Sequence, residues 1–388
     1  MGDELTRPAA ELLRGALEVA QEAGGLARPS RFTVAQLRAL GSVAAWHPGL
    51  YRQMAACSAG VCVAFRTDGR AARVELAPDE PPRATRAMLA DAQRHTGEPA
   101  GDVTRASAVV DGRRAGPLVA AVGGEKGGAG EKGAPAAGAP AAPDARPYVE
   151  LVLEDPASLP APGMAHLPGL GPEHEVRLYL PCLAGCAVGD VTVEGATYLE
   201  PLGPRPVLLV LGDSVAQGFT VADPALTWPV LLAERLGLDL VNQGVGGQVF
   251  QPGSLPDPAA VGPVAAVVVE FADNYRFEPC AASAVRRDAR AYLAGVAARW
   301  PEAPTLVVTT PPHTEAYYPT HPRSCASEVD ALIAEAAARW PWMRVVDGAG
   351  LLPANKLDEL LADGSDHPGV EGSRLIARAL ADAFDALP

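Results

Sequence analysis

Two kinds of apolar pattern divide this chain. In the first half, short apolar or alternating runs at 60–67, 70–76, 106–111, 117–122, 148–153, 175–180 and 191–198 are bounded by Gly, Pro and Asp, which predicts strands. From Val207 onward, apolar runs at 207–211, 238–242, 264–271, 304–309 and 343–346 alternate with helix-period segments at 228–236, 281–299, 326–339 and 369–386. Strands apolar on both faces and joined by helix-length crossovers predict a parallel sheet covered on both sides, a flavodoxin-like three-layer α/β fold. The earlier strands predict a β-sandwich in front of it.

Finer signals fill in the first half. Leu5, Leu12, Leu13, Ala16, Leu17 and Ala20 recur at helical spacing and Gly24–Gly25 follow, so an amphipathic helix is expected over 4–22. Shorter helices are expected at 33–41 and 83–95, and Asp68–Gly69 between two strand runs reads as a hairpin turn. The segment 123–147 is Gly, Ala and Pro with a few charges; it cannot bury a core and is expected to be a flexible surface insertion. The proline-rich stretch 201–206 marks a boundary, which gives two domains, 1–203 and 204–388. Each is long enough to bury its own core.

The candidate chemistry lies where apolar runs stop. After Val207–Leu211 come Gly212, Asp213 and Ser214, a serine at the entrance to a helix. Gly212 is expected to let the chain turn as it leaves the sheet, and the helix N-terminus favours a developing oxyanion beside Ser214. Two further strand ends lead into Asn242, Gly244, Gly246 and Gly247, and into Asp273, Asn274, Tyr275 and Arg276. Asp363, Gly364, Asp366 and His367 precede the last helix. In parallel sheets ligands bind beyond the carboxyl ends of strands, where these segments fall. Singly each has a plain alternative: Ser214 a helix cap, Gly247 a turn glycine, Asn274 a loop amide, His367 a surface residue.

In order and spacing the four segments resemble the blocks of the GDSL, or SGNH, hydrolase superfamily, and the resemblance covers residues 205–388. It implies Ser214 as nucleophile, His367 as general base, and Gly247 N–H and the Asn274 amide as oxyanion donors beside Ser214 N–H. Two positions depart from the family. The usual Gly-x-Asn-Asp is replaced around Ala272–Tyr275, and Gly364 stands three residues before His367, where the family has Asp. Asp363 is the expected third member, since a loop turn brings it round; Asp366 is the alternative, though as the neighbour of His367 it has to curl back sharply to reach the imidazole. A serine–histidine dyad oriented by a backbone carbonyl is the alternative. The runs around 58–69 and 176–181 are similar to the N-terminal domain of two-domain actinobacterial GDSL proteins, which include esterases and an antibiotic-pathway acyltransferase.

His313 also follows a strand and competes as base; with Tyr275, Arg276, Tyr317 and Tyr318 it is expected to line the substrate pocket. Trp228 and Pro229 read as a helix start whose side chains serve core packing. Gly244, Gly246 and Gly247 lack the third glycine of a dinucleotide loop, Val249 standing in its place, so no cofactor is implied.

The net charge of −14, without a basic cluster, argues against nucleic acid or an anionic membrane surface as partner. No apolar run reaches membrane-spanning length, and residues 1–24 lack a secretory pattern, so a cytoplasmic protein is expected. Six cysteines are sparse for 388 residues and are expected to be reduced. A zinc site built from Cys57, Cys62, Cys182 and Cys186 is a minor alternative, since neither spacing is the usual one. The function expected is serine-dependent hydrolysis of a small or glycosidic acyl ester. The alternatives are an acyltransferase of natural-product metabolism and a ligand-binding protein that has lost catalysis.

Overall fold

The computed structural model describes residues 4–42, 48–97, 101–118, 120, 146–153, 172–276, 281–301, 303–314 and 323–387. The expected insertion at 123–147 lies almost wholly outside these residues. So do Tyr317, Tyr318 and Cys280, and the side chains of Arg276 and Cys325.

Among the described residues twelve strands build the first half: β1 (Glu4–Pro8), β2 (Leu13–Arg14), β3 (Glu18–Gln21), β4 (Ala27–Ser30), β5 (Cys62–Thr67), β6 (Ala71–Pro78), β7 (Ala106–Val110), β8 (Arg113–Leu118), β9 (Tyr148–Val152), β10 (His174–Tyr179), β11 (Cys186–Glu194) and β12 (Leu199–Pro201). They form two antiparallel six-stranded sheets, β3-β4-β11-β6-β9 with β1 on β11, and β12-β5-β10-β7-β8 with β2 on β5. Val63, Phe65, Val74, Leu76, Leu178 and Val191 fill the space between them, as a sandwich requires. Helices α1 (Val34–Ser42), α2 (Pro48–Ala55) and α3 (Arg83–Thr96) lie in the connections.

Two local expectations are overturned. Residues 4–22 are not a helix: β1 pairs with β11 from Glu4↔Glu194 to Pro8↔Asp190, and Gly15 takes φ +81°. A Cβ at Gly15 would lie 2.8 Å from Leu240 O, so sheet pairing and a close backbone contact override helical spacing. Nor is Asp68–Gly69 a hairpin, because β5 and β6 belong to different sheets. Asp68 accepts from Thr197 N at 2.7 Å and Thr197 Oγ1 at 2.6 Å, tying this crossover to the end of β11.

The second half holds β13 (Val207–Gly212), β14 (Asp239–Gly244), β15 (Val264–Glu270), β16 (Thr305–Val308) and β17 (Met343–Val346), all parallel, in the order β14-β13-β15-β16-β17. That is the flavodoxin-like arrangement expected. Between and after the strands lie α4 (Ser214–Gln217), α5 (Trp228–Leu236), α6 (Pro258–Val261), α7 (Ala282–Arg299), α8 (Arg323–Ala337), α9 (Leu357–Leu360) and α10 (Val370–Asp385). Alternate residues of β13 serve opposite faces. Leu208 and Val210 pack with α5 and α10 through Leu232, Ile376 and Leu380, while Leu209 and Leu211 pack with α7 and α8 through Leu293 and Ile333. In register, Gly212 lies opposite both Gly244 and Glu270, so three strands end at one level and the loops after them converge.

Candidate active site

Ser214 opens α4 directly after β13. Asp213, not Ser214, is the cap: its Oδ1 accepts from Val215 N at 2.9 Å, which leaves the serine in the first turn with its hydroxyl uncommitted to capping. The chain turns from β13 into α4 here as expected, but Gly212 has no positive φ. Its role is space, because a Cβ would meet Ala216 Cβ at 2.5 Å and Glu270 O at 2.8 Å. The far side of α4 is fixed by Trp228, whose indole N–H donates to Val215 O at 2.9 Å, and by Asn242, whose amide donates to Ala216 O at 2.8 Å. Trp228 therefore adds a specific bond to its expected core packing.

His367 reaches Ser214 from the opposite side, Nε2 lying 2.9 Å from Oγ. Its loop is closed by Ala362 N–H donating to His367 O at 2.8 Å and by a bridge between Leu361 and Pro368. Gly364 takes φ +71° at the position where the family has Asp, and Asp363 is presented instead. Asp363 Oδ2 lies 2.6 Å from His367 Nδ1, and its Oδ1 accepts the N–H groups of Ser365, Asp366 and His367 at 2.9, 3.1 and 3.2 Å. Asp366, the alternative third member, makes the sharp curl its position demands: its Oδ1 lies 2.7 Å from the same Nδ1. Burial pulls the imidazole pKa down, but the Asp366 and Asp363 carboxylates outweigh it and hold it well above the ordinary 6.5. Phe219 covers the ring at 4.7 Å between centroids. Ser214 and His367 are 4% and 5% exposed, so the pair is nearly closed off from water.

The expected oxyanion donors are gathered unequally. Among the described residues, neither Ser214 N–H nor Gly247 N–H has an engaged acceptor, which leaves both able to donate to an incoming oxyanion. Asn274 is present and buried, but its amide nitrogen donates to Asp213 Oδ2 at 2.9 Å and to Gln248 O at 3.1 Å. Both amide hydrogens thus have protein acceptors, and serving an oxyanion requires release of the Gln248 carbonyl.

Beneath the serine turn lies a group that pattern reading missed. Glu270 ends an otherwise apolar strand and is 2% exposed. Burial pushes its carboxyl up to about 7, and burial together with Glu270 and Asp273 pushes Asp213 well above the ordinary carboxylate range. The N–H groups of Asp213 and Ala216 face Glu270, yet neither of its oxygens attains a formed hydrogen bond. Its close neighbour is another carboxyl, and two carboxyls in contact are stable when one keeps its proton. The available signal was a charged residue at the end of a buried strand.

Other expected residues fall elsewhere. Tyr275, in the 3-10 turn at Asp273–Arg276, is buried in the α7–α8 core with its ring stacked 6.4 Å from Phe250. His313 is half-buried with Nδ1 3.0 Å from Pro311 O; the imidazole at Ser214 is that of His367. The loop carrying His313 is laced to the histidine loop by Thr314, which donates through N–H to Ser365 O and through Oγ1 to Gly364 O, both at 2.7 Å. Among the described residues the one cluster of metal-ligating side chains is Asp363, Asp366 and His367, and it includes no cysteine. Cys57, Cys62, Cys182 and Cys186 are buried and unbridged, with thiols that burial pushes up to between about 11 and about 12.

A parallel 2-1-3-4-5 sheet with a serine–histidine–carboxylate line at its strand ends defines the class of the C-terminal half, and residues 210–375 match the model of the GDSL-like lipase/acylhydrolase family. The C-terminal half thus carries a GDSL-like lipase/acylhydrolase domain, and the protein is an enzyme of the ester-hydrolysing or acyl-transferring kind. No curated protein matches the chain. Among solved structures it is similar to the salicylyl-acyltransferase SsfX3 from a tetracycline biosynthetic pathway, with a TM-score of 0.70, 18% identity, and 99% and 98% of the two chains covered. A family two carbohydrate esterase from Cellvibrio japonicus is similar with a TM-score of 0.57 at 12% identity, covering 99% of this chain and 98% of that one. Both likenesses extend through the β-rich half, so the whole two-part architecture is shared.

Proposed function

We propose that the protein is a serine esterase that works through an acyl-enzyme on a small or glycosidic acyl ester, with Ser214 as nucleophile, His367 as base and Asp363 as the carboxylate that orients it. The carrying observation is the line from Asp363 Oδ2 to His367 Nδ1 at 2.6 Å and from His367 Nε2 to Ser214 Oγ at 2.9 Å. As Oγ attacks the ester carbonyl carbon its proton passes to Nε2, and the carbonyl pair moves onto oxygen. Ser214 and Gly247 N–H groups hold that oxyanion, with Asn274 joining once it leaves Gln248; each donor contributes about 3 kcal/mol. The carbon–oxygen bond to the alcohol then breaks and the alcohol leaves with the Nε2 proton. An acceptor O–H next gives its proton to Nε2 and attacks the acyl carbon, and as the bond to Oγ breaks Nε2 returns that proton to the serine. Residues 1–203 and 204–388 are the two domains in this reading.

Substituting Ser214→Ala and following p-nitrophenyl acetate and butyrate hydrolysis tests it. Activity should vanish, and wild-type turnover persisting in the variant would sink the proposal. Acyl transfer is the second reading, favoured by the near-complete burial of the Ser214–His367 pair, which limits water at the acyl-enzyme. The likeness to an acyltransferase adds the fold alone. Product partition with added alcohol acceptors separates the two, since free acid dominating at high acceptor excludes transfer. The substrate is a small molecule, and no described helix is long and apolar enough to cross a membrane. Cytoplasmic location belongs to the same reading, where the four buried cysteines stay reduced, and cell fractionation checks it.

A further inference from the structure

The loop that carries Gly247 needs outside help to keep its shape. Gly246 and Gly247 are consecutive, Gly247 has φ +77°, and a peptide between two glycines flips at little cost. In the reading of Gly247 as a donor, a flip would carry its N–H out of the orientation an oxyanion on Ser214 needs. The peptides on either side are pinned. Gly246 N–H donates to Gln217 Oε1 at 2.9 Å, and the Gly247 carbonyl accepts from Tyr51 Oη at 2.9 Å. Tyr51 comes from α2, in the β-rich half, and is 1% exposed in a cluster with Phe32, Leu40, Met54 and Val245.

The ground under Tyr51 is held by a guanidinium. Arg31 is fully buried and has no described carboxylate partner. Four of its five N–H groups go to main-chain carbonyls of both halves: Cys57 O at 2.7 Å and Met54 O at 2.8 Å on one side, Asn242 O at 2.7 Å and Gly244 O at 2.9 Å on the other. Burial draws its pKa down to about 10, so it stays charged at neutral pH. Burying an unpaired charge is costly, and here the return is a rigid joint between α2 and the end of β14. Gln243 adds to the joint by donating to Arg31 O at 2.9 Å.

We infer that Tyr51 is a positioning residue for the oxyanion donor Gly247, seated on a platform that Arg31 fixes, so that the β-rich half completes the catalytic loop. The inference rests on the reading of Gly247 as a donor. Tyr51→Phe removes one hydroxyl and keeps the ring in its cluster. The expected result is kcat for p-nitrophenyl acetate lowered about tenfold, part of the effect of losing a whole donor, with KM within about twofold and an unchanged melting temperature. Affinity for a trifluoromethyl ketone, which forms an oxyanion on the serine, should fall by the same factor. A kcat within about twofold of wild type, or a lost kcat with unchanged ketone affinity, overturns the positioning role. Ser214→Ala run alongside keeps the two claims apart. Activity surviving there removes the serine reading itself, whereas an inactive Ser214→Ala beside a fully active Tyr51→Phe removes only the role of Tyr51.

Discussion

At Nδ1 of His367 two carboxylates converge, Asp363 at 2.6 Å and Asp366 at 2.7 Å, and in the proposed mechanism this sets the pH at which the base works. A general base acts in its neutral form, so activity rises as pH climbs through its pKa. With that pKa held well above 6.5, the rising limb of kcat/KM should lie on the alkaline side of an ordinary histidine. Asp366→Asn should move the limb to lower pH and keep the plateau, because Asp363 still orients the ring. Asp363→Asn should cost far more at every pH, since its Oδ1 also organises three backbone N–H groups of the loop. A limb that stays fixed in Asp366→Asn contradicts this account. Ser214 and His367 were legible in the sequence because they occupy motif positions, and Asp363 because a loop turn brings it round to His367. The approach of Asp366 was not, since it follows from the tight loop around Gly364 rather than from spacing.

At the scale of elements, the end of β15 carries a cost that β13 shares. Glu270 sits opposite Gly212 in the ladder and beneath the serine turn, with a carboxyl pushed up to about 7 by burial first of all. The folded state therefore holds its proton where the unfolded chain, at the ordinary 4.5, has released it. Stability linked to this group is fully present below about 4.5 and is lost as pH rises toward about 7. Glu270→Gln should flatten that decline, so its melting temperature gains on wild type between these pH values; parallel curves contradict the assignment. Helix and strand alternation after Val207 was readable because buried parallel strands and amphipathic crossovers have distinct periods. The residues 4–22 misled because Leu and Ala at helical spacing also suit a chain that pairs with β11 and breaks at Gly15, which tertiary contacts alone decide.

For the whole molecule, the joints between the two halves are buried and charged. Arg31 binds main-chain carbonyls of both, and Arg177 of β10 lies 3.2 Å from Asp239 of β14 and 3.6 Å from Glu234 of α5. Separating the halves strips these buried guanidinium groups of their partners across the joint, so unfolding should be one calorimetric transition with equal calorimetric and van't Hoff enthalpies. Two resolved transitions would show the halves to be independent. These joints were invisible in the sequence, since one arginine among carbonyls leaves no motif. The central claim is that Ser214 carries the acyl group, and the most direct test is to react the protein with a fluorophosphonate and map the adduct by mass spectrometry. The account predicts one added phosphonyl group on the peptide containing Ser214, absent in Ser214→Ala and much slower to form in His367→Ala. Labelling at another residue, or an ester-hydrolysing protein that takes no label on Ser214, would contradict it.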